Sequence, residues 1–347
     1  MARIFSLAPT FARAKAKLRG RKSIEEFCSE RLVIAPGETS PRTQAIFLPD
    51  ELDRVTGVRR PGDVDQVRAG TSIHLPTIAY RLRDATIADG AVYTRNGFEN
   101  VSAQRRKPII AGSAIEIDEA QLCGDISSDV FFGHWLLESL GKELLADERG
   151  MQSINMTNSL RVHESGYRNL LGMPGRIVTR ARVRDLWLVD DRGYNSSHVE
   201  RLAALRARLR DAVPGAGSGL VFMGRGRTGV KREMLNAAEI AEIVVKRGGV
   251  VIEPEAMAAA DIAAALTGAR IVVAVEGSAF AHAQLALAKG SALVIIQPPD
   301  RFNSIHKRLA DLSGLHVGLA VGVARPGGFY LEPDRFSRLL GLVEASI

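Results

Sequence analysis

Two groups of residues in this sequence have types and spacings that can do chemistry. The first lies in Asp129-Val130-Phe131-Phe132-Gly133-His134-Trp135-Leu136-Leu137-Glu138-Ser139-Leu140. His134 and Glu138 are four residues apart, so on a helix both side chains project from one face near its start. A histidine beside a carboxylate can act as a general base. It can equally be a structural pair on a capped core helix, and the spacing leaves both readings open. Asp129 is placed to cap or nearly cap that helix. Trp135, Leu136, Leu140 and Leu144 share its apolar face. No third and fourth ligands cluster in the sequence around the pair, so a zinc site is not indicated.

The second group follows the apolar run Leu220–Met223: Gly224, Arg225, Gly226, Arg227, Gly229, Lys231 and Arg232. Glycines with guanidinium groups suit an anionic ligand, above all a phosphate. The stretch lacks the Gly-Lys-Ser/Thr ending of a triphosphate loop. Gly224, Gly226 and Gly229 have the spacing of a dinucleotide fingerprint, but the next helix starts several residues too late, and an exposed basic turn is the plainer reading. Further on, Glu276-Gly277-Ser278-Ala279 forms a tight turn into a helix. Asn236 and Glu239 stand three apart before an apolar run, as an N-cap and its capping-box partner do.

The elements that must position these residues alternate from Leu220 onward. Apolar runs at Leu220–Met223, Val250–Ile252, Ile271–Val275 and up to Ile296 are separated by helical stretches, the first from about Asn236 to Arg247. Strand–helix alternation predicts an α/β domain with a parallel sheet, whose ligands bind beyond the carboxyl ends of the strands. The 214–219 stretch is the clearest linker in the chain. The expected division is a basic segment over 1–30, an N-terminal domain over 31–213, the linker, a second domain over 220–330 and a closing helix over 331–347. In the N-terminal domain, short strands are expected at 73–80, 85–87, 91–93, 108–110, 158–163, 176–179 and 186–189, with helices at 167–171 and from Ser196 to about Val213.

Composition narrows the function classes. The 347 residues carry a formal charge of +7, with 46% hydrophobic, 24% charged and 5% aromatic residues. This is the profile of a globular chain. The two cysteines, Cys28 and Cys123, exclude a disulfide framework and suit a reducing, cytoplasmic setting. No apolar run approaches the roughly 20 residues that span a bilayer, and the N-terminus lacks the apolar core of a secretory signal. That basic segment, with Phe5, Leu7, Phe11 and Leu18 among its cations, reads either as an amphipathic contact with the inner face of a membrane or as a floppy arm. The positive charge fits an anionic partner. Nucleic acid is disfavoured, because basic and aromatic residues do not interleave.

The second half resembles glycosyltransferase family 61. The resemblance rests on Arg225, Arg232, Asn236 and Glu239, on Val275-Glu276-Gly277-Ser278-Ala279-Phe280-Ala281-His282, and on Gly133-His134-Trp135-Leu136-Leu137-Glu138, in that family's order. It covers roughly 125–325. Many members have His at the position of Glu276 and Asn at that of His282. The resemblance implies a GT-B-like fold of two Rossmann-like domains facing across a cleft, here with a β-rich N-terminal elaboration. It implies an inverting, metal-independent enzyme without cofactor that moves a sugar from a nucleotide-sugar, a UDP-sugar first, to a glycan or lipid-linked glycan in surface polysaccharide assembly. Arg225, Arg232, Asn236, Glu239, Glu276, Gly277, Ser278, Ala279 and His282 would bind the donor. His134, Glu138 or Asp129 would be the catalytic base. A sugar-nucleotide epimerase and a non-enzymatic glycan- or nucleic-acid-binding protein are the alternatives.

Overall fold

The structure is a computed structural model that describes residues 4–103, 111–113, 115–156, 162–213, 215, 218–226 and 232–347. The strand expected at 108–110, most of that at 158–163, part of the 214–219 linker, and Arg227, Gly229 and Lys231 lie outside the described residues. The fold is mixed α/β, in two compact units. One comprises Met1–Glu38 and Ile73–Leu202, the other Thr39–Ser72 and Ala203–Ile347.

The first unit is built on a seven-stranded mixed sheet. Its strands are β1 (Glu30–Ala35), β2 (Thr77–Ala88), β3 (Ala91–Tyr93), β4 (Phe98–Asn100), β5 (Glu116–Leu122), β6 (Gln152–Ile154) and β7 (Arg180–Asp190). The order is β6-β5-β7-β2-β3-β4, and β1 also pairs with β2. β5, β6 and β7 run parallel, whereas β7, β2 and β1 run antiparallel. Successive side chains point to opposite faces. Accordingly Leu186 and Leu188 join one core with Leu82, Ile117 and Leu122, while Trp187 and Val189 join another with Ala79 and Leu145.

Two expectations for this unit change. Of the strand expected at 73–80, Ile73 and His74 end a separate strand, Gly70–His74, while residues 77–80 and the strand expected at 85–87 are parts of β2, which runs unbroken through the charged residues Arg81, Arg83 and Asp84. Arg81 is accommodated by Asp185 at 2.9 Å and Glu30 at 3.1 Å on the neighbouring strands. Residues 176–179 are not a strand. Only Ile177 bridges, to Asn155, and β7 starts at Arg180.

The second unit holds a fully parallel five-stranded sheet: β8 (Leu220–Met223), β9 (Val250–Ile252), β10 (Ile271–Val275), β11 (Ala292–Gln297) and β12 (His316–Val321), in the order β9-β8-β10-β11-β12. β8, β10 and β11 are buried along their whole length, which is why they read as continuous apolar runs. One face packs on Ile240, Val244, Leu340 and Val343 from the helices Ala237–Lys246 and Pro333–Glu344. The chain turns outward to β9 after β8 but to the opposite side after β10. The carboxyl ends of β8 and β10 therefore flank the switch point at which open α/β sheets take their ligands.

Thr39–Ser72 is a strap on this second unit. Ile46 bridges Gly318 of β12, and Val58 bridges Phe302. Arg54 pairs with Glu332 at 2.7 Å, and Glu51 accepts from the Val321 amide at 2.6 Å.

Candidate functional site

The first cluster sits in the first unit. Asp129 does not cap the helix that carries His134, whose N-cap position is Phe131; it lies inside the preceding helix Ile126–Val130, which Asp125 caps: the Asp125 carboxylate accepts from the Ser128 amide, and the Ser128 hydroxyl completes a capping box with the Asp125 amide. Burial pushes the Asp125 carboxyl up, but Lys142, 2.9 Å away, and Ser128 outweigh it and hold the carboxyl well below the usual range. Asp129 instead accepts from the Ser102 hydroxyl at 2.6 Å and the Ala103 amide at 3.1 Å, tying down a loop.

A second helical stretch then runs from Phe132 to Glu148, interrupted by a π turn over Trp135–Ser139. All five residues of that turn are buried. Such turns are frequent at functional sites.

His134 and Glu138 meet across this turn. His134 Nδ1 is 2.6 Å from Glu138 Oε1, and the Tyr194 hydroxyl donates to the same oxygen at 2.5 Å. The Glu138 side chain is 7% exposed and that of His134 28%. A buried carboxylate accepting from Nδ1–H fixes the imidazole's orientation and tautomer. The pair is thus a buried carboxylate holding a partly exposed imidazole by one ring nitrogen.

Tyr194 was not singled out by the sequence. It has φ of 55°, a left-handed backbone conformation rare for a bulky residue. Its ring stands edge-on to His198 at 4.9 Å, and His198 Nδ1 bonds Asp191 at 2.8 Å. Asp191 also accepts from Arg201 and Thr77. On the other side, Arg168 grips Glu143 through two bonds of 3.0 and 3.1 Å and Glu164 at 3.2 Å, and lies 5.4 Å over the Trp135 ring. A fixed tyrosine and a clamped helix together hold the His134–Glu138 pair.

The second cluster lies at the carboxyl ends of β8 and β10. Arg225 Nη1 donates to the Glu276 carbonyl at 3.1 Å and Arg232 Nη1 donates to it at 2.8 Å. Arg232 Nε is 3.0 Å from Glu276 Oε2. Glu276 is buried, and Asn303 donates to its other oxygen at 2.9 Å, with His306 Nε2 3.8 Å away. A Cβ at Gly277 would collide with Arg225 Nη1, so this glycine is what lets the guanidinium groups approach the turn. Ser278 is exposed and Ala279 half-buried at the mouth of the turn, while His282 is buried within the helix Phe280–Ala286.

Positive charge is in excess here. Burial lowers the Arg232 guanidinium to about 10, and neighbouring Arg225, Arg301 and Arg59 work in the same direction against Glu276. Arg225 is lowered by burial and by Arg301, against the carboxylates of Glu276, Glu255 and Glu233. Arg301 Nη1 is buried without a hydrogen-bond partner among the described residues. Desolvated guanidinium groups in such excess are relieved by an anion that accepts from several of them.

Asn236 and Glu239 have a different setting. Asn236 stands at the N-cap position, yet its side chain makes no capping bond. It exchanges two bonds with the Leu331 backbone, at 2.8 and 3.1 Å, and donates to Glu239 at 2.9 Å. The expected capping box is replaced by a tie to a distant strand end. Sequence reasoning also missed Arg301, Asn303 and His306, whose roles depend on β11 lying beside β10, and Arg59, which comes from the strap.

No curated protein matches the chain. Residues 132–294, which hold the His134–Glu138 pair, Arg225, Arg232 and Glu276, match the family described as Glycosyltransferase 61. The chain therefore carries the glycosyltransferase 61 region that its motifs led one to expect.

Proposed function

We propose that the protein is an inverting glycosyltransferase that transfers a sugar from a nucleotide-sugar to a glycan hydroxyl. The observation that carries this reading is the convergence of Arg225 and Arg232 on the Gly277 turn at the switch point of a parallel sheet, with more positive charge than Glu276 can balance. A leaving nucleoside diphosphate supplies the missing negative charge, and donors preorganised for it lower the barrier to C1–O cleavage. The backbone of Gly277, Ser278 and Ala279 and the Ser278 hydroxyl add neutral donors. Glu276 keeps Arg232 in place, whereas Asn236 and Glu239 tie the start of their helix to Leu331 and Tyr330.

The acceptor hydroxyl attacks the anomeric carbon from the face opposite the diphosphate. Its proton passes to His134 Nε2 while Glu138 stabilises the imidazolium through Nδ1–H. One C–O bond forms, one breaks, and the configuration inverts. Because arginines neutralise the leaving group, transfer is expected to continue in a chelator. The reading takes the two units as the halves of a GT-B enzyme, with the donor on the second and the base from the first, working in surface polysaccharide assembly.

The test is transfer by purified protein across a panel of nucleotide-sugars, UDP-sugars first, with and without chelator, and with the product's anomeric configuration read by NMR. Donor binding that is unchanged in both Arg225→Ala and Arg232→Ala would refute the clamp. Interconversion of the donor without any acceptor would instead make the protein an epimerase.

A further inference from the structure

The helix Ala8–Arg19 carries a feature that sugar transfer does not use. One of its faces is anchored: Ala8 and Ala12 are buried against Ala88, Ala91 and Tyr93, and Arg13 donates to the Tyr93 hydroxyl at 3.0 Å. Leu7, Phe11 and Leu18 are left 50%, 52% and 82% exposed. At 3.6 residues per turn these three positions fall within about 40° of one another, so they form one apolar stripe. Between residues 7 and 22 the chain has Arg13, Lys15, Lys17, Arg19, Arg21 and Lys22 and no acidic residue. Beside the helix, Lys15, Arg21, Lys22, Asn96 and Phe98 line a shallow cleft. Lys15 reaches Asn96 at 3.1 Å there, and the Arg21 guanidinium lies 5.2 Å over the Phe98 ring and pairs with Glu99 at 3.3 Å, which leaves Lys15 and Lys22 as the cleft's cations without a carboxylate in an ion pair among the described residues.

We propose that this stripe and its flanking cations dock the protein on the surface of an anionic phospholipid bilayer, with Phe11 and Leu18 entering the acyl boundary and the cationic cleft receiving a phosphate headgroup. An amphipathic helix with lysines and arginines beside large apolar residues lies in the interfacial plane, and each cation near an anionic surface strengthens adsorption about fivefold. A protein partner is the poorer fit, because interface cores are depleted of lysine. The helix is already folded against β3 and β4, so docking incurs no cost of forming it.

The test is co-sedimentation of the full-length protein with vesicles of equal parts phosphatidylglycerol and phosphatidylcholine, against phosphatidylcholine alone. Binding to the anionic vesicles only, weakening with salt, is expected. Phe11→Ser with Leu18→Ser should reduce partitioning roughly a hundredfold, and Lys17→Glu with Lys22→Glu at least thirtyfold or so. Both pairs are exposed, and thermal melting verifies that the variants remain folded. As a measurement that needs no variant, amide exchange should slow at residues 7–22 when vesicles are added. Failure of the wild type to pellet, equal pelleting of the apolar double variant, or protection confined to other segments would overturn the proposal. So would self-association abolished by the same substitutions without vesicle binding, which would assign the stripe to a second copy.

Discussion

At the scale of single residues, the chemistry rests on which atom of the His134–Glu138 pair meets the acceptor. Spacing alone places the two side chains together. The 2.6 Å contact through Nδ1 supports the proposed division of roles, and Tyr194 donates to the same carboxylate oxygen. His134→Ala should lower kcat by on the order of 10²–10⁴-fold with little change in donor affinity. Tyr194→Phe removes a donor from Glu138, leaving the carboxylate freer to stabilise the imidazolium. The acid limb of the kcat/KM–pH profile should then move to higher pH, with kcat falling far less than in His134→Ala. A positioning role for Tyr194 is refuted if the pH profile does not move.

At the scale of elements, the His134 helix depends on a buried ionic clamp. Glu143 and Glu164 lose their shared cation in Arg168→Met, and a broken buried pair typically costs about 3–5 kcal/mol. Chemical denaturation should show that loss. An unchanged midpoint would mean that Arg168 is replaceable by any apolar chain. Much of the element pattern was legible. β8, β10 and β11 are buried on both faces and announce themselves as apolar runs, and the helix from Ala237 follows the apolar period. β2 was not legible as one strand, because its charged middle is compensated by Asp185 and Glu30, distant in sequence. Nor was the π turn at Trp135–Ser139, since no local propensity distinguishes it from an α-helix with the same buried residues.

At the scale of the molecule, residues outside the family-matched stretch bear on the proposed donor site. Thr56 and Gly57 donate to the Pro299 carbonyl at 2.8 and 3.1 Å, and Arg59 donates through its amide to Phe302 at 2.8 Å. This seats the strap beside Arg301 and Asn303. Arg301→Ala should weaken donor binding on the order of tenfold, by calorimetry, because a desolvated charged donor is lost. Arg59→Ala, on an exposed side chain, should cost less and only at low salt. Equal, salt-independent losses would contradict this ranking.

The sequence by itself determined the α/β class of the second half, the pairing of His134 with Glu138, and the anion-seeking character of Arg225 and Arg232. These are local properties: periodicity, a four-residue spacing, guanidinium chemistry beside glycine. Tertiary structure alone decided that Asp129 ties down the Ser102 loop instead of capping the His134 helix, and that Asn236 ties down Leu331. It also decided that Tyr194 and Glu138 share an oxygen and that Arg59 and Arg301 add to the charge around Glu276. Each of these depends on which distant segment packs alongside, which is settled by burial of the whole core.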